Sequence, residues 1–294
     1  MENNQFSLIP EEYYILANTA FEEKDYENSI KYYSEYLKHV KEDFEAYYNR
    51  GKAFLWQKRL KEAIGDFDKA AALKPGAFGV YKDRGLAYLQ INSFEEALKD
   101  FNHEIDIGND SADVFCFRGI LYSIFKKYDE AIADYKKAAE IDPKYAPPYT
   151  NLGNIYLVLK NYDEAQKYFE KAIDANPELA PSYNSLACLF FQTGDYASSL
   201  LNLNKAIELQ PEYPDSYYNR GVIYVKNHYH TSALNDFRQY EMLKSKVTRE
   251  PYLRILSHIK TGNTEGILKN TDDKTELVKE LEELLAKLKK SISG

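Results

Sequence analysis

A period of 34 residues constrains this chain more than any other feature. Stepping from Gly51 by 34 lands on Gly85, Gly119, Gly153, Ala187 and Gly221, and one step back lands on Ala17. A second column in the same register reads Ser29, Ala63, Ala97, Ala131, Ala165, Ser199 and Ala233, and a third reads Tyr33, Phe67, Phe101, Tyr135, Phe169, Leu203 and Phe237. Three columns that stay in phase through seven copies, without an insertion, belong to a repeat array rather than to a globular core with unique layers.

Each copy reads as two helices. In APPYTNLGNIYLVLKNYDEAQKYFEKAIDANP, Tyr149, Leu152, Ile155 and Tyr156 recur at helical spacing, and Tyr162, Ala165, Phe169, Ala172 and Ile173 do so again after a short break. Small residues at the Gly153 and Ala165 columns allow the two helices to approach closely, and the aromatic columns fill the space between them. The prolines agree with this division. Pro75, Pro143, Pro177 and Pro211 fall where second helices end, and Pro10, Pro147, Pro148, Pro181, Pro214 and Pro251 fall where first helices begin.

These columns resemble the tetratricopeptide repeat over residues 10–247, with the copy around Gly153 matching that family's pattern most fully. The resemblance implies an all-α, right-handed superhelical solenoid of seven tandem helix-turn-helix repeats forming one elongated domain, with first helices lining a concave groove. Residues 1–9 are then an N-terminal extension, and residues 248–294 supply extra C-terminal helices. Within those, Leu277, Leu281, Leu284, Leu285 and Leu288 form one stripe of an amphipathic helix, expected to cap the last repeat, fill the groove or pair with a second chain. Departures from the pattern are also visible. The column of Ala70, Ala138, Ala172 and Ala206 holds Tyr36, Glu104 and Tyr240 in other copies, which is expected to loosen or reorient the local stack, and no reason for Glu104 is evident. If the stack bends, it bends at the KPGAFGVY and IGNDSADVF links.

The column before the small residue reads Leu16, Arg50, Arg84, Arg118, Leu152, Leu186 and Arg220, and sixteen residues on it reads Tyr32, Asp66, Asp100, Asp134, Tyr168, Asn202 and Asp236. Arg and Asp occur together or are absent together. A guanidinium inside a helical stack needs an acceptor, so four structural ion pairs within single repeats are expected rather than a ligand-gripping row.

The resemblance places the binding surface on the first helices. Carried over position by position, the groove candidates are Tyr14, Asn18, Phe21, Tyr48, Lys52, Leu55, Trp56, Lys82, Leu86, Leu89, Ile120, Ile124, Asn154, Leu157, Phe191 and Tyr218. Further groove positions, Glu11, Glu22, Glu45, Gln90, Cys116, Thr150, Val158, Asn184, Cys188, Val222, Val225 and Lys226, complete the face. Its largely apolar character implies something that buries it. The expected function is a non-catalytic protein-protein interaction scaffold or adaptor that receives an apolar peptide or an amphipathic helix. The alternatives are a self-assembling protein that dimerises through residues 271–290 and a groove that is self-packed and takes no ligand. A Lys and Asn clamp for acidic chaperone tails is missing, because Tyr14 and Tyr48 stand at its first position and Lys82 is followed by Leu86. Groove carboxylates Glu11, Glu22, Glu45, Asp113 and Asp215 outnumber Lys52, Lys82 and Lys226, which favours a ligand with basic flanks.

Charge and motifs narrow the remaining classes. Lys and Arg number 38 against 46 Asp and Glu, a formal charge of -8, so nucleic-acid binding lacks its electrostatic drive. The start MENNQFSLIPEEYY has no apolar leader and no segment is long enough to insert in a membrane, so a cytoplasmic protein is expected. No nucleophile elbow, HExxH or phosphate loop is present, and neither an enzyme nor a cofactor is expected. Cys116 and Cys188 lie two repeats apart, too far to bridge, and His228 and His230 have no third ligand nearby in sequence, so no metal is expected.

Overall fold

Prolines and left-handed residues set the ends of the helices in the computed structural model, which describes residues 8–247. Fourteen helices follow one another: α1 (Pro10–Glu22), α2 (Tyr26–His39), α3 (Phe44–Trp56), α4 (Leu60–Leu73), α5 (Val80–Gln90), α6 (Phe94–Asp106), α7 (Ala112–Ile124), α8 (Tyr128–Ile141), α9 (Ala146–Val158), α10 (Tyr162–Ala175), α11 (Ala180–Thr193), α12 (Tyr196–Leu209), α13 (Pro214–Lys226) and α14 (His230–Val247). No strand occurs among the described residues. Pro10, Pro147, Pro181 and Pro214 sit in first turns, where their missing N–H costs nothing, and Pro75, Pro143, Pro177 and Pro211 lie two residues past a helix end. Pro251 and the leucine stripe from Leu277 to Leu288 lie outside the described residues.

Within every repeat the two helices are joined in the same way. Lys24, Lys58, Asn92, Lys126, Lys160, Gly194 and His228 each adopt positive φ between the two helices. Each turn is a Schellman motif: Lys126 N–H donates to the Ser123 carbonyl at 3.0 Å and Lys127 N–H to the Tyr122 carbonyl at 2.8 Å, with equivalent bonds in the other copies. Only one of the seven is a glycine, so no sequence signal marked these turns. The residue after the turn often caps the second helix, as Asp25, Asn161 and Asp195 do by accepting from the N–H three residues on.

The helices fall into two compact units divided between Asp110 and Ser111, α1–α6 in unit 1 and α7–α14 in unit 2. In each, the two helices of a repeat pack together and the second helix meets the first helix of the next repeat. The joint within a repeat is governed by the glycine and aromatic columns. A Cβ on Gly153 would lie 2.5 Å from the Phe169 ring, and one on Gly119 would lie 2.7 Å from Tyr135. Where Ala187 replaces glycine, the facing residue is Leu203 rather than a ring, so the bulk added on one side is removed from the other.

The four Arg and Asp columns meet face to face. Arg50 donates to Asp66 from Nε at 2.6 Å and Nη2 at 2.7 Å, and Arg84–Asp100, Arg118–Asp134 and Arg220–Asp236 repeat that bidentate geometry. The third nitrogen can reach backward. Nη1 of Arg50, Arg84 and Arg220 donates to Ser34, Asp68 and Asn204 on the second helix of the preceding repeat. One guanidinium therefore ties three helices, which is the work of a structural rivet.

The unusual residues in the Ala172 column find separate solutions. Tyr36 sets its ring 5.1 Å from that of Tyr14, and Tyr240 sets its ring 5.2 Å from that of Tyr218, so the bulk that was expected to loosen these copies is taken up by aromatic contact. Glu104 is fully buried on α6 and accepts the Lys82 N–H at 3.0 Å and the Asn109 side-chain amide at 2.6 Å. Lys82 lies in the first turn of α5, whose N-cap is Gly79 with no side chain to offer. Glu104 thus supplies the missing cap from a different helix.

Candidate functional site

The first-helix face of unit 1 is assembled from α1, α3 and α5. Its base is aromatic. Tyr14 packs edge-on to Tyr33 with centroids 5.9 Å apart, and Asn18 is held by a hydrogen bond from the Tyr33 phenol. Tyr36 donates to Asp43 at 2.7 Å, and burial together with that carboxylate pushes its phenol up to about 12. Beside it, Phe21 meets Tyr26 at 5.4 Å, and Tyr26 stacks on Trp56 with centroids 6.0 Å apart and planes within 6°. Trp56 is nevertheless 64% exposed. The Tyr26 ring supports one face of the indole without covering it.

Polar groups lie among these rings. Lys52 projects its Nζ between Tyr48, at 4.5 Å from the centroid, and Phe21, at 5.3 Å, and burial lowers its pKa. Tyr48 donates to Asp83 at 2.8 Å, and burial raises both the phenol and the carboxyl above their ordinary values. Leu55, Lys82 and Leu86 are half-buried, Leu89 is 1% exposed, and Glu11, Glu22 and Glu45 are exposed. Asp83 was not among the expected groove positions. Its column reads Ile15, Asn49, Asp83, Phe117, Asn151, Ser185 and Asn219, and a single carboxylate in that series was the available signal.

In unit 2 the equivalent positions are arranged differently. Ile120, Asn154, Leu157, Phe191 and Tyr218 are buried, as are Cys116, Thr150, Asn184, Cys188 and Val222, while Ile124 is half-buried. Leu89, Ile120, Asn154, Leu157, Phe191 and Tyr218 therefore do not offer the open surface expected of groove positions. The first helices of adjoining repeats come into contact and cross-link one another: Thr150 Oγ1 lies 2.9 Å from Ser182 Oγ, and Asn219 donates to Asn184 at 3.0 Å and to the Cys188 sulfur at 3.4 Å. Side chains that a wider stack would present to a ligand are spent on the neighbouring repeat. Both cysteines are buried thiols outside any disulfide, and burial pushes the Cys116 thiol up to about 12.

His228 and His230 face one another with ring centroids 6.0 Å apart at the last turn. Among the described residues no three His, Cys, Asp or Glu side chains group as a metal site would require, and no helix is long and apolar enough to cross a membrane.

Comparison with known proteins agrees with this geometry. Profiles of the tetratricopeptide repeat match residues 14–78, 125–187 and 188–227. Among solved structures, a tetratricopeptide repeat protein from Parabacteroides merdae superposes with a TM-score of 0.71 at 20% identity, covering 84% of this chain and 98% of that one. PilW, a type IV pilus biogenesis factor, gives 0.61 at 16% identity over 70% of this chain and 96% of its own. YrrB, described as a tetratricopeptide repeat protein with an unusual peptide-binding site, gives 0.50 at 21% identity over 63% and 95%. No curated protein matches the sequence. Repeat register, paired-helix packing and profile matches together identify the chain as a member of the tetratricopeptide repeat family.

Proposed function

We propose that the chain is a non-catalytic interaction scaffold that holds an apolar or amphipathic segment of another polypeptide on the first-helix face of unit 1. The observation that carries this reading is Trp56, 64% exposed yet stacked on Tyr26, whose ring is met in turn by half-buried Phe21. A supported, uncovered indole is the kind of anchor that supplies much of the energy of an interface. Side chains that are buried as well as consumed in packing repeat on repeat cannot play that part, which removes most of the unit 2 positions. The family's repeats are interaction modules, and the structural relative YrrB is described as having a peptide-binding site.

Affinity capture with the intact chain beside Trp56→Ala tests the reading. A protein retained by the wild type and lost from the variant is the expected result, and its titration against the wild type should change the emission of this sole tryptophan. Partners that bind both forms equally and leave the emission untouched place the site elsewhere.

A further inference from the structure

Carboxylates drawn into unit 1 are matched by donors, with one exception. Asp66 and Asp100 each receive two bonds from an arginine, and Glu104 receives two from Lys82 N–H and Asn109. Asp83 accepts a single side-chain hydrogen bond, from Tyr48, while Lys82 and Lys52 act on its charge through space without a salt bridge among the described residues. A carboxylate offers about four acceptor positions, so most of this one's capacity is unused.

The surroundings hold Asp83 in this state. Tyr48 reaches it only because Gly79, at φ +90°, has no Cβ; one built there would lie 2.7 Å from the Tyr48 hydroxyl. Glu104 fixes the first turn of α5 through the adjacent Lys82 N–H. Lys52, the neighbouring cation on α3, lies over the faces of Tyr48 and Phe21 and attracts Asp83 and Glu45 through space, without a salt bridge to Asp83 among the described residues. Glu11, Glu22 and Glu45 stand exposed on the same face, so the local field favours an approaching positive charge despite Lys52 and Lys82.

Resting on the scaffold reading, we propose that the segment bound by unit 1 is cationic as well as apolar: it sets a Lys or Arg side chain on Asp83 and an apolar side chain on Trp56. The two anchors act together. An acidic segment meets four carboxylates, and a purely polar basic segment leaves the indole in water.

Fluorescence anisotropy with the full chain tests this, using three labelled synthetic probes of roughly 15 residues, long enough to form a helix. One carries a Leu stripe with Lys elsewhere, one the same stripe with Glu, and one Ser in place of Leu with Lys retained. The Leu/Lys probe should bind at least tenfold more tightly than either other probe. Asp83→Asn, which keeps an acceptor for Tyr48, and Glu45→Lys, an exposed substitution that leaves packing untouched, should each weaken it severalfold or more, with thermal midpoints showing both variants folded. Equal binding of the Leu/Glu probe, equal binding of the Ser/Lys probe, no binding of the Leu/Lys probe, or unchanged affinity in both variants overturns the inference. None of these results overturns the scaffold reading, which the Trp56→Ala capture decides independently.

Discussion

Ser29 and Ser199 occupy the same repeat column and should respond to alanine in opposite directions. Ser29 lies at 0% exposure in the first turn of α2, and its Oγ has no hydrogen-bond partner among the described residues. Ser199 is equally buried, but its Oγ donates to the Ala187 carbonyl at 2.7 Å. Folding strips water from both hydroxyls and compensates only the second. An uncompensated buried hydroxyl costs about 1–3 kcal/mol, and alanine adds a few tenths, about 0.5 kcal/mol, of helix propensity over serine. Ser29→Ala should therefore stabilise by about 2 kcal/mol, with the methyl occupying the space that Ala63, Ala97, Ala131 and Ala165 fill at 0% exposure in their repeats. Ser199→Ala loses a bond of net value about 1 kcal/mol and regains about 0.5 from propensity, a small net loss. The gap between the variants is then about 2–3 kcal/mol, or roughly 5–10 °C in midpoint for a chain of this size. Thermal denaturation of the full chain by circular dichroism measures it, and hydrogen exchange in α2 and α12 assigns each change to its repeat. If Ser29→Ala is no more stable than wild type, or if Ser199→Ala gains as much, hydroxyl desolvation is not what distinguishes these sites.

Two further perturbations test the stack. The Asp134 side chain is 7% exposed and that of Arg118 19%, so Arg118→Met or Asp134→Leu alone should cost about 3 kcal/mol in urea denaturation, with the double variant recovering a large part; zero coupling would show that the bidentate pair contributes nothing. Glu104→Ala restores the residue type of Ala70, Ala138, Ala172 and Ala206 but removes the carboxylate that accepts from the Lys82 N–H and the Asn109 amide, so it should lower the urea midpoint by the equivalent of about 1–3 kcal/mol. A gain in stability there would refute the role of Glu104 as a remote cap.

Much of the fold was legible because the repeat states it seven times. Gly153 facing Phe169 and Arg50 facing Asp66 are contacts within one copy, sixteen residues apart, and correlated columns expose such pairs before any coordinate is known. Helix ends were equally readable where proline marks them. The left-handed turns were not, since lysine stands where glycine would have announced them at Lys24, Lys58, Lys126 and Lys160. Backbone demand at these positions is met by the Schellman bonds on either side, and the residue type carries little trace of it.

The candidate site divides along the same line. The tetratricopeptide resemblance, carried over position by position onto the repeat register, assigned side chains such as Tyr48, Lys52 and Trp56 to the first-helix face. How far neighbouring first helices close on one another is a property of packing between repeats, and it buries Leu157 and Phe191 while leaving Trp56 in solvent. The single hydrogen bond to Asp83 and the purpose of Glu104 likewise depend on Gly79, Tyr48 and Lys82, contributed by other turns and helices. Spacing specifies what each helix can present; only the distance of closest approach between helices decides which of those groups keeps its water.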